Sequence, residues 1–223
     1  MEYTFHFGDM WAVRDELLWG AVLTVQLSAL SMVLSLMVAI VGALGRVNGP
    51  RWLQWLIAAY VELIRNTPFL VQVFVIFFGL PVLGIRLEAN VCAVIAMVLN
   101  GSAYTIEIVR AGIESIGTGQ SEAARALGLR PIQAFRLIVL PQALRAVFPP
   151  LGSQFILLML NSSILSVIAA DELTAVTQDI QSRTFRSFEA YITATGIYFV
   201  LSSLFSLAFS TIERVFFPKL ARR

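Results

Sequence analysis

Charged residues are scarce in this chain, and their scarcity argues against a soluble fold. Only 13% of its 223 residues are Asp, Glu, Lys or Arg, whereas 58% are hydrophobic and the mean hydropathy is +0.80. A soluble domain usually carries about a quarter charged residues. The composition therefore predicts a helical membrane protein. The net charge of +2 is too small to indicate a nucleic-acid partner.

Histidine, cysteine and lysine each occur once. With only His6 and Cys92, the chain has little basis for a zinc site, a Cys/His catalytic dyad or an intrachain disulfide. A P-loop needs Gly-Lys-Ser or Gly-Lys-Thr, but Lys219 stands between Pro218 and Leu220. The sequence therefore contains no P-loop. We expect no enzymatic activity, metal or cofactor in this chain.

The sequence contains five long apolar stretches. Each approaches the length of about 20 helical residues that is needed to cross a bilayer. They run approximately over Leu18–Leu44, Pro68–Leu83, Ala89–Val109, Leu151–Ala170 and Ala190–Ile212. The second is short and can borrow residues from the amphipathic stretch RWLQWLIAAYVELIRN before it. The predicted fold class is an all-α integral membrane protein with five transmembrane helices in one domain, residues 1–223.

Arginine and lysine in the loops predict the orientation, because they concentrate on the cytoplasmic side. One side holds most of them, at Arg46, Arg51, Arg65, Arg110, Arg125, Arg130, Arg136, Arg145, Arg214, Lys219, Arg222 and Arg223. The other side holds Arg14, Arg86, Arg183 and Arg186. We therefore predict a periplasmic tail over residues 1–17 and a membrane core over 18–212. A cytoplasmic loop at about 111–145 and a cytoplasmic tail over 213–223 complete this arrangement. The polar stretch 171–189 is expected to be a solvated loop or a surface helix on the periplasmic side.

The loop between the third and fourth spans has the features of a helix-turn-helix elbow. Ser121 is suited to cap a short helix, with Glu122 at its positive end. Gly128 can end that helix in a left-handed turn, and Pro131 can begin the next one. Pro141 predicts a break or kink before the chain re-enters the membrane. A short helix rich in alanine can dock closely in a groove of a soluble partner.

Polar side chains inside the spans are costly, and they tend to face a cavity or the bundle interior. Candidates for a substrate pathway are Arg65, Asn66, Thr67 and Gln72 in the second span, Asn100, Tyr104 and Glu107 on one face of the third, and Gln154, Asn161, Ser162 and Ser163 in the fourth. Structural roles compete with this interpretation. Glu107, Arg110 and Glu114 can form ion pairs, as can Glu62 with Arg65. Asn66 and Thr67 can cap a helix, and serines allow close helix packing.

The segment EAARALGLRPIQAFRLIVLP, residues 122–141, resembles the signature of permease subunits of bacterial ABC importers. The matching positions are Glu122, Ala123, Ala124, Gly128, Ile138, Leu140 and Pro141. Three further stretches resemble the branch that takes up polar amino acids such as histidine, glutamine, glutamate or arginine. They are ELIRNTPFLVQVFVIFFGLP (62–81), AYTIEIVRAGIESI (103–116) and NSSILSVIAADELT (161–174).

This resemblance implies the type I importer fold in the bacterial inner membrane and a set of partners. These are a second permease, identical or sister, two ATPase subunits that bind ATP and Mg²⁺, and a periplasmic binding protein that delivers the amino acid. The resemblance places a coupling helix against an ATPase over Ser121, Glu122, Ala123, Ala124, Arg125, Ala126, Leu127, Gly128 and Leu129. The amide of Asn161, where a site for basic substrates would use a carboxylate, favours glutamine or glutamate.

Other functions are open from the residues alone. A channel or secondary transporter that works without ATP would also have five spans and a polar face, but it predicts a charged ion site or an inverted repeat. A membrane enzyme would need clustered acid, base or metal ligands. The chain could also be a structural partner for a sister permease that holds the substrate.

Overall fold

The structure, a computed structural model, describes residues 4–216, apart from the side chain of Ser121. Every regular element in this range is helical, which confirms the predicted all-α class. The elements are α1 (Gly8–Ala12), α2 (Arg14–Asn48), α3 (Arg51–Arg65), α4 (Phe69–Val82), α5 (Ala89–Glu114), α6 (Thr118–Ala126), α7 (Pro131–Ala134), a π-helix (Phe135–Val139), α8 (Leu140–Asn161), a 3-10 helix (Ser162–Ile168), α9 (Leu173–Thr184) and α10 (Ser187–Phe216).

Four helical stretches are long and apolar enough to cross a membrane: α2, α5, the run Pro131–Ile168, and α10. The helices α3 and α4 are a bent pair, with 106° between them, and they make a fifth span when counted together. The five-span prediction therefore holds with a broken second span. Most of the predicted tail over 213–223 lies outside the described residues.

The central helix is α5, because α2, α3, α4 and α8 all pack against it. Its contact with α2 uses small residues, which let helix backbones approach closely in a membrane. Ser28, Ser31 and Ser35 of α2 are fully buried there, and a Cβ on Gly101 would lie 2.6 Å from the Ser35 Oγ. The main core around α5 is apolar and includes Val73, Ala93, Met97, Leu158, Met159 and Leu165.

A second, smaller core lies at the end of the bundle opposite residues 118–134. This cap cluster joins α1, α9 and the first turns of α2 and α10, and its buried members are Met10, Leu17, Leu173, Ile180, Ala190 and Ala194. Arg183 bridges Glu16 and Asp179, and Arg186 lies 3.5 Å from Asp9, so ion pairs surround the cluster. The polar stretch 171–189 thus contains a packed helix, α9.

The contact between α5 and α8 requires a glycine. A Cβ on Gly112 would lie 2.0 Å from the Cγ2 of buried Val147. We expect Gly112→Ala to lower the free energy of unfolding by about 1–3 kcal/mol, since the added methyl overpacks this contact. The thermal unfolding midpoint in detergent measures the effect. Gly79→Ala, which meets no atom within 4 Å, is the control. Equal midpoints for the two variants would contradict close packing at Gly112.

Candidate functional site: the elbow and the polar residues of the spans

The elbow, residues 118–134, begins earlier than the sequence predicted. The N-cap of α6 is Gly117, whose extended backbone (φ −56°, ψ 144°) starts the helix at Thr118. Ser121 is therefore inside the helix, and its predicted role as N-cap is wrong because Thr118, Gly119 and Gln120 add most of a turn before it. The Ser121 side chain itself lies outside the described part of the structure.

The end of α6 forms a left-handed cap, as predicted. Gly128 has φ +79°. Its N–H donates to the Arg125 carbonyl at 2.9 Å, and the Leu129 N–H donates to the Ala124 carbonyl at 3.1 Å. This pair of bonds is the Schellman motif, which satisfies the last carbonyls of a helix. Pro131 then occupies the start of α7, which confirms its predicted place. The elbow is consequently a rigid helix-turn-helix.

The helix does not break at Pro141. The run from Pro131 to Ile168 is continuous, and its hydrogen-bond register changes in the π-helix Phe135–Val139. Pro141 falls in the first turn of α8, where a missing N–H costs little. The predicted break is therefore replaced by a π-helical turn just before the proline. Such turns are frequently found at functional sites.

The elbow shows one side to the bundle and the other to solvent. Ala124 is fully buried, and α6 packs against the π-helix. Ala123, Ala126 and Leu127 are exposed, with Leu127 79% accessible. A cavity of about 590 Å³ separates the elbow from the ends of α2 and α5. The exposed side is thus a small surface on a rigid support, with alanines and Leu127 beside the exposed Glu122 and Arg125.

The break between α3 and α4 is organised by Gln72. Its Nε2 lies 2.7 Å from the Ile64 carbonyl and 3.0 Å from the Thr67 carbonyl, and its Oε1 accepts from Asn100 Nδ2 at 3.0 Å. The Ile64 and Thr67 carbonyls lie at the break between α3 and α4, where they receive no hydrogen bond from a backbone N–H one helical turn further on. Gln72 and Asn100, both predicted as pathway residues, are therefore hydrogen-bonded to each other and fasten the bend to α5.

Asn66 and Thr67 act as caps, but on the preceding helix. Asn66 Nδ2 donates to the Glu62 carbonyl at 2.8 Å, and Thr67 Oγ1 donates to the Leu63 carbonyl at 2.8 Å. Asn66 Nδ2 also reaches Glu62 Oε2 at 2.9 Å. The Glu62 carboxylate is therefore bonded to Asn66 and forms no ion pair with Arg65 among the described residues.

Arg65 lies over Tyr104, with its Cζ 5.5 Å from the ring centroid. Glu62, Arg65 and Asn66 are exposed in the single chain. The bend meets α5 at Asn100, about 16 Å along a helix roughly 39 Å long at 1.5 Å per residue. Charged side chains exposed near the middle of a span need water or a protein partner around them.

Glu107 belongs to an ion-pair network. It lies 2.7 Å from Arg110 Nη2 and 3.8 Å from Arg46 Nη2, while Arg110 Nη1 lies 2.5 Å from Glu114. The alternative prediction, that Glu107, Arg110 and Glu114 form ion pairs with each other, is confirmed. The three polar residues on one face of α5 thus contact three different groups: Asn100 contacts Gln72, Tyr104 contacts Arg65, and Glu107 contacts the arginines.

The fourth span contains polar side chains that have no partner. Gln154 and Asn161 are half-buried, and the structure between residues 4 and 216 shows no hydrogen bond to either side chain. Ser162 and Ser163 bond to carbonyls one turn back, at 2.6 and 2.9 Å. Asn161 is also the last residue of α8 before the helix tightens into its 3-10 turn. The amides are therefore available to a ligand or a partner chain.

A serine-lined groove on α10 was not predicted. It has a volume of about 520 Å³ and lies between Ile156 and a set of hydroxyls, Ser202, Ser203, Ser206 and Ser210. Three of these recur every four residues, a helical spacing that the sequence displays. Only 6% of the most apolar stretch of α10 is buried, against 56% of that of α5.

Within residues 4–216, no three side chains that could bind a metal ion come together.

Comparison with known proteins identifies the family. The model of the family described as binding-protein-dependent transport system inner membrane component matches residues 19–222. The probable glutamine ABC transporter permease protein GlnM of Bacillus subtilis is 40% identical over 191 residues, which cover 86% of this chain and 88% of that protein. The L-cystine transport system permease protein TcyB of the same species is 37% identical over 210 residues, 92% and 90% of the two chains.

Solved structures agree with this assignment. The crystal structure of an amino acid ABC transporter with histidines superposes with a TM-score of 0.90 at 37% identity, over 95% of this chain and 99% of that one. The inward-facing MetNI methionine ABC transporter has the same fold, with a TM-score of 0.77 at 20% identity over 92% and 98% of the two chains. Permeases of this kind are not enzymes, and ATP is hydrolysed by a separate chain. This chain belongs to the family of binding-protein-dependent transport system inner membrane components, and it is the integral membrane permease subunit of an ABC importer.

Proposed function

We propose that this chain forms the translocation pathway for a polar amino acid in the bacterial inner membrane. The observation that carries the proposal is a set of polar side chains within the candidate spans that the single chain leaves exposed or half-buried: Glu62, Arg65, Gln154 and Asn161. Relatives named for glutamine and for cystine support an amino-acid substrate.

The proposed site suits the two charges that every amino acid carries. Arg65 keeps its charge at any physiological pH and can donate hydrogen bonds to the α-carboxylate. Glu62, three residues away on α3, can accept hydrogen bonds from the α-ammonium. The amides of Gln154 and Asn161 can both donate and accept, so they suit a neutral polar side chain. We therefore infer glutamine in preference to glutamate or arginine.

The proposed second permease, an identical or a sister chain, packs against α8 and α10. Support comes from the low burial of α10 and from its serines, since small polar residues let membrane helices approach closely. Pairing there would enclose Gln154 and Asn161 between two chains. The substrate pathway would then be shared, as in transporters that bind substrate between halves.

The proposed coupling uses the exposed side of the elbow. Two ATPase subunits bind ATP and Mg²⁺, and each receives one elbow, with Ala123, Ala126 and Leu127 in its groove. A periplasmic binding protein delivers the amino acid at the opposite end. Because the Schellman turn keeps the elbow rigid, closing the ATPases moves it as one body and switches the spans between two openings.

Loss of an amide in the pathway is expected to weaken substrate binding. Asn161→Ala should raise the KM for uptake about tenfold, since one lost hydrogen bond to substrate amounts to about 1.4 kcal/mol. Gln142→Ala, which removes an exposed amide bonded to the Ile138 carbonyl one turn back, is the control. Unchanged KM for Asn161→Ala and for Arg65→Gln would place the substrate in a sister permease.

The proposed function is tested by uptake into proteoliposomes that hold the permease and ATPase subunits, with the binding protein added on the other side. Radiolabelled glutamine, glutamate, cystine and arginine are offered separately, with and without ATP. We expect ATP-dependent accumulation of glutamine. Uptake by the permease without ATPase subunits would instead indicate a channel or secondary transporter.

A further inference from the structure

The connection from the 3-10 helix to α9 buries a carboxylate that the proposed transport path does not explain. Glu172 is fully buried and caps α9. Its Oε1 accepts from the Ala175 N–H at 2.6 Å, and its Oε2 accepts from the Thr174 N–H at 2.8 Å and from the Tyr198 hydroxyl at 2.6 Å. All three partners donate, which fits an ionised carboxylate. Burial nevertheless raises its pKa, and the hydrogen bonds act in the opposite direction.

The Tyr198 hydroxyl joins α10 to this group, because it lies 2.9 Å from Thr174 Oγ1 as well as 2.6 Å from Glu172 Oε2. The start of α9 is therefore bonded to α10. The 3-10 helix that follows Asn161 packs against α9, so the segment 161–166 adjoins this group.

A second set of bonds holds the same segment to α9. Gln178 Nε2 lies 3.2 Å from Ser166 Oγ, and that hydroxyl donates to the Ser163 carbonyl at 2.9 Å. The start of α9 is fixed in turn, because the Leu173 N–H donates to Thr24 Oγ1 of α2 at 2.9 Å. The position of the segment 161–166 therefore depends on its contacts with α9, which belongs to the cap cluster, as well as on the helix α8 that precedes it.

We propose that Glu172 and Tyr198 are positioning residues of the substrate pathway, which hold the segment Asn161–Ser163 so that the Asn161 amide faces the path. This rests on the proposed role of Asn161 in substrate contact. Neither residue touches the substrate; they act through the start of α9, which Gln178 joins to Ser166. Movement of the cap cluster would be transmitted by the same bonds to the amide.

The position of residue 161 can be measured without knowing the substrate. In the assembled complex of permease and ATPase subunits, Asn161→Cys is introduced on a Cys92→Ala background, and its rate of reaction with a small maleimide is recorded. Tyr198→Phe should change that rate by at least about threefold, the size of coupling common between contacting residues. Tyr191→Phe, on the same helix but outside the hydrogen-bonded group, is the control. Equal rates for Tyr198→Phe and the parent would overturn the proposal.

Transport supplies the functional half of the test. With native Asn161 and Cys92, Tyr198→Phe should raise the KM for radiolabelled glutamine, and adding Gln178→Leu should raise it by less than the sum of the two single effects, since both act through α9. Additive increases in KM would overturn the proposal.

If Tyr198→Phe lowers the yield of folded complex, Glu172→Gln gives the same test. The amide NH₂ of glutamine would face an N–H or hydroxyl group that already donates to Glu172, so a hydrogen bond would be lost. Failure of the proposed function would appear separately, as a parent complex that takes up none of the offered amino acids, while the maleimide rate still reports position.

Discussion

Gly128→Val is expected to reduce ATP-driven uptake at least tenfold while the complex still assembles. A left-handed backbone costs an ordinary L-residue about 1–2 kcal/mol, and a β-branched side chain raises the cost further. The Schellman turn would open, so that α6 and α7 no longer move as one body. A loss of about 1.4 kcal/mol corresponds to tenfold. Uptake and ATP hydrolysis measured in the same proteoliposomes should show fewer amino acids carried per ATP.

Gly84 provides a matched control for backbone strain. Its φ is +82°, and neither glycine would bring a Cβ within 4 Å of another atom. Gly84 lies after α4, in the turn before α5, far along the chain from the elbow. Gly84→Val should therefore lower the thermal midpoint comparably but keep the ratio of uptake to ATP hydrolysis. Equal ratios for the two variants would show that the Gly128 turn does not carry the coupling.

Gln72→Leu is expected to be the most destabilising single change in the bundle. It keeps the side-chain size but removes the donor to the Thr67 carbonyl, the nearer of two donors to the Ile64 carbonyl, and the acceptor of the Asn100 amide. Buried polar groups left unpaired cost about 1–3 kcal/mol each, and we expect a total near 3 kcal/mol. Reversible unfolding in mixed detergent measures the free energy. Gln54→Leu, which removes a single bond to the Gly49 carbonyl, should cost less than half as much.

The double variant Gln72→Leu/Asn100→Leu separates this mechanism from simple loss of packing. Removing both partners leaves no unpaired Asn100 amide, so its cost should be smaller than the sum of the single costs. Additive costs would mean that the two side chains do not depend on each other. The bend would then be set by Pro68 and the neighbouring helices alone.

Most of the membrane spans and the turn of the elbow could be predicted from the residues. Long apolar stretches indicate spans because each side chain contributes independently to burial in lipid. Gly128 and Pro131 could be placed because glycine tolerates positive φ and proline fits the first turn of a helix. Each of these inferences depends on residues that are close together in the chain, and the structure agrees with each of them.

Other features depend on contacts between residues far apart in the chain. Pro68 indicates that a helix restarts, but the 106° bend is held by Gln72 reaching back eight residues and across to Asn100. The bond from Leu173 to Thr24 joins residues 149 positions apart. Local pattern contains no information about such pairs. This is also why Glu172 and Tyr198 could not be identified from the sequence.

Photo-crosslinking from position 127 tests most directly the claim that a separate ATPase drives this chain through its elbow. A photoreactive residue replaces Leu127, which is 79% exposed, and in a control it replaces Leu83, which is 75% exposed in the turn after α4. In the assembled complex we expect position 127 to form a covalent product with the ATPase subunit and position 83 to form none. Products from position 127 confined to lipid or to the permease itself would contradict the claim.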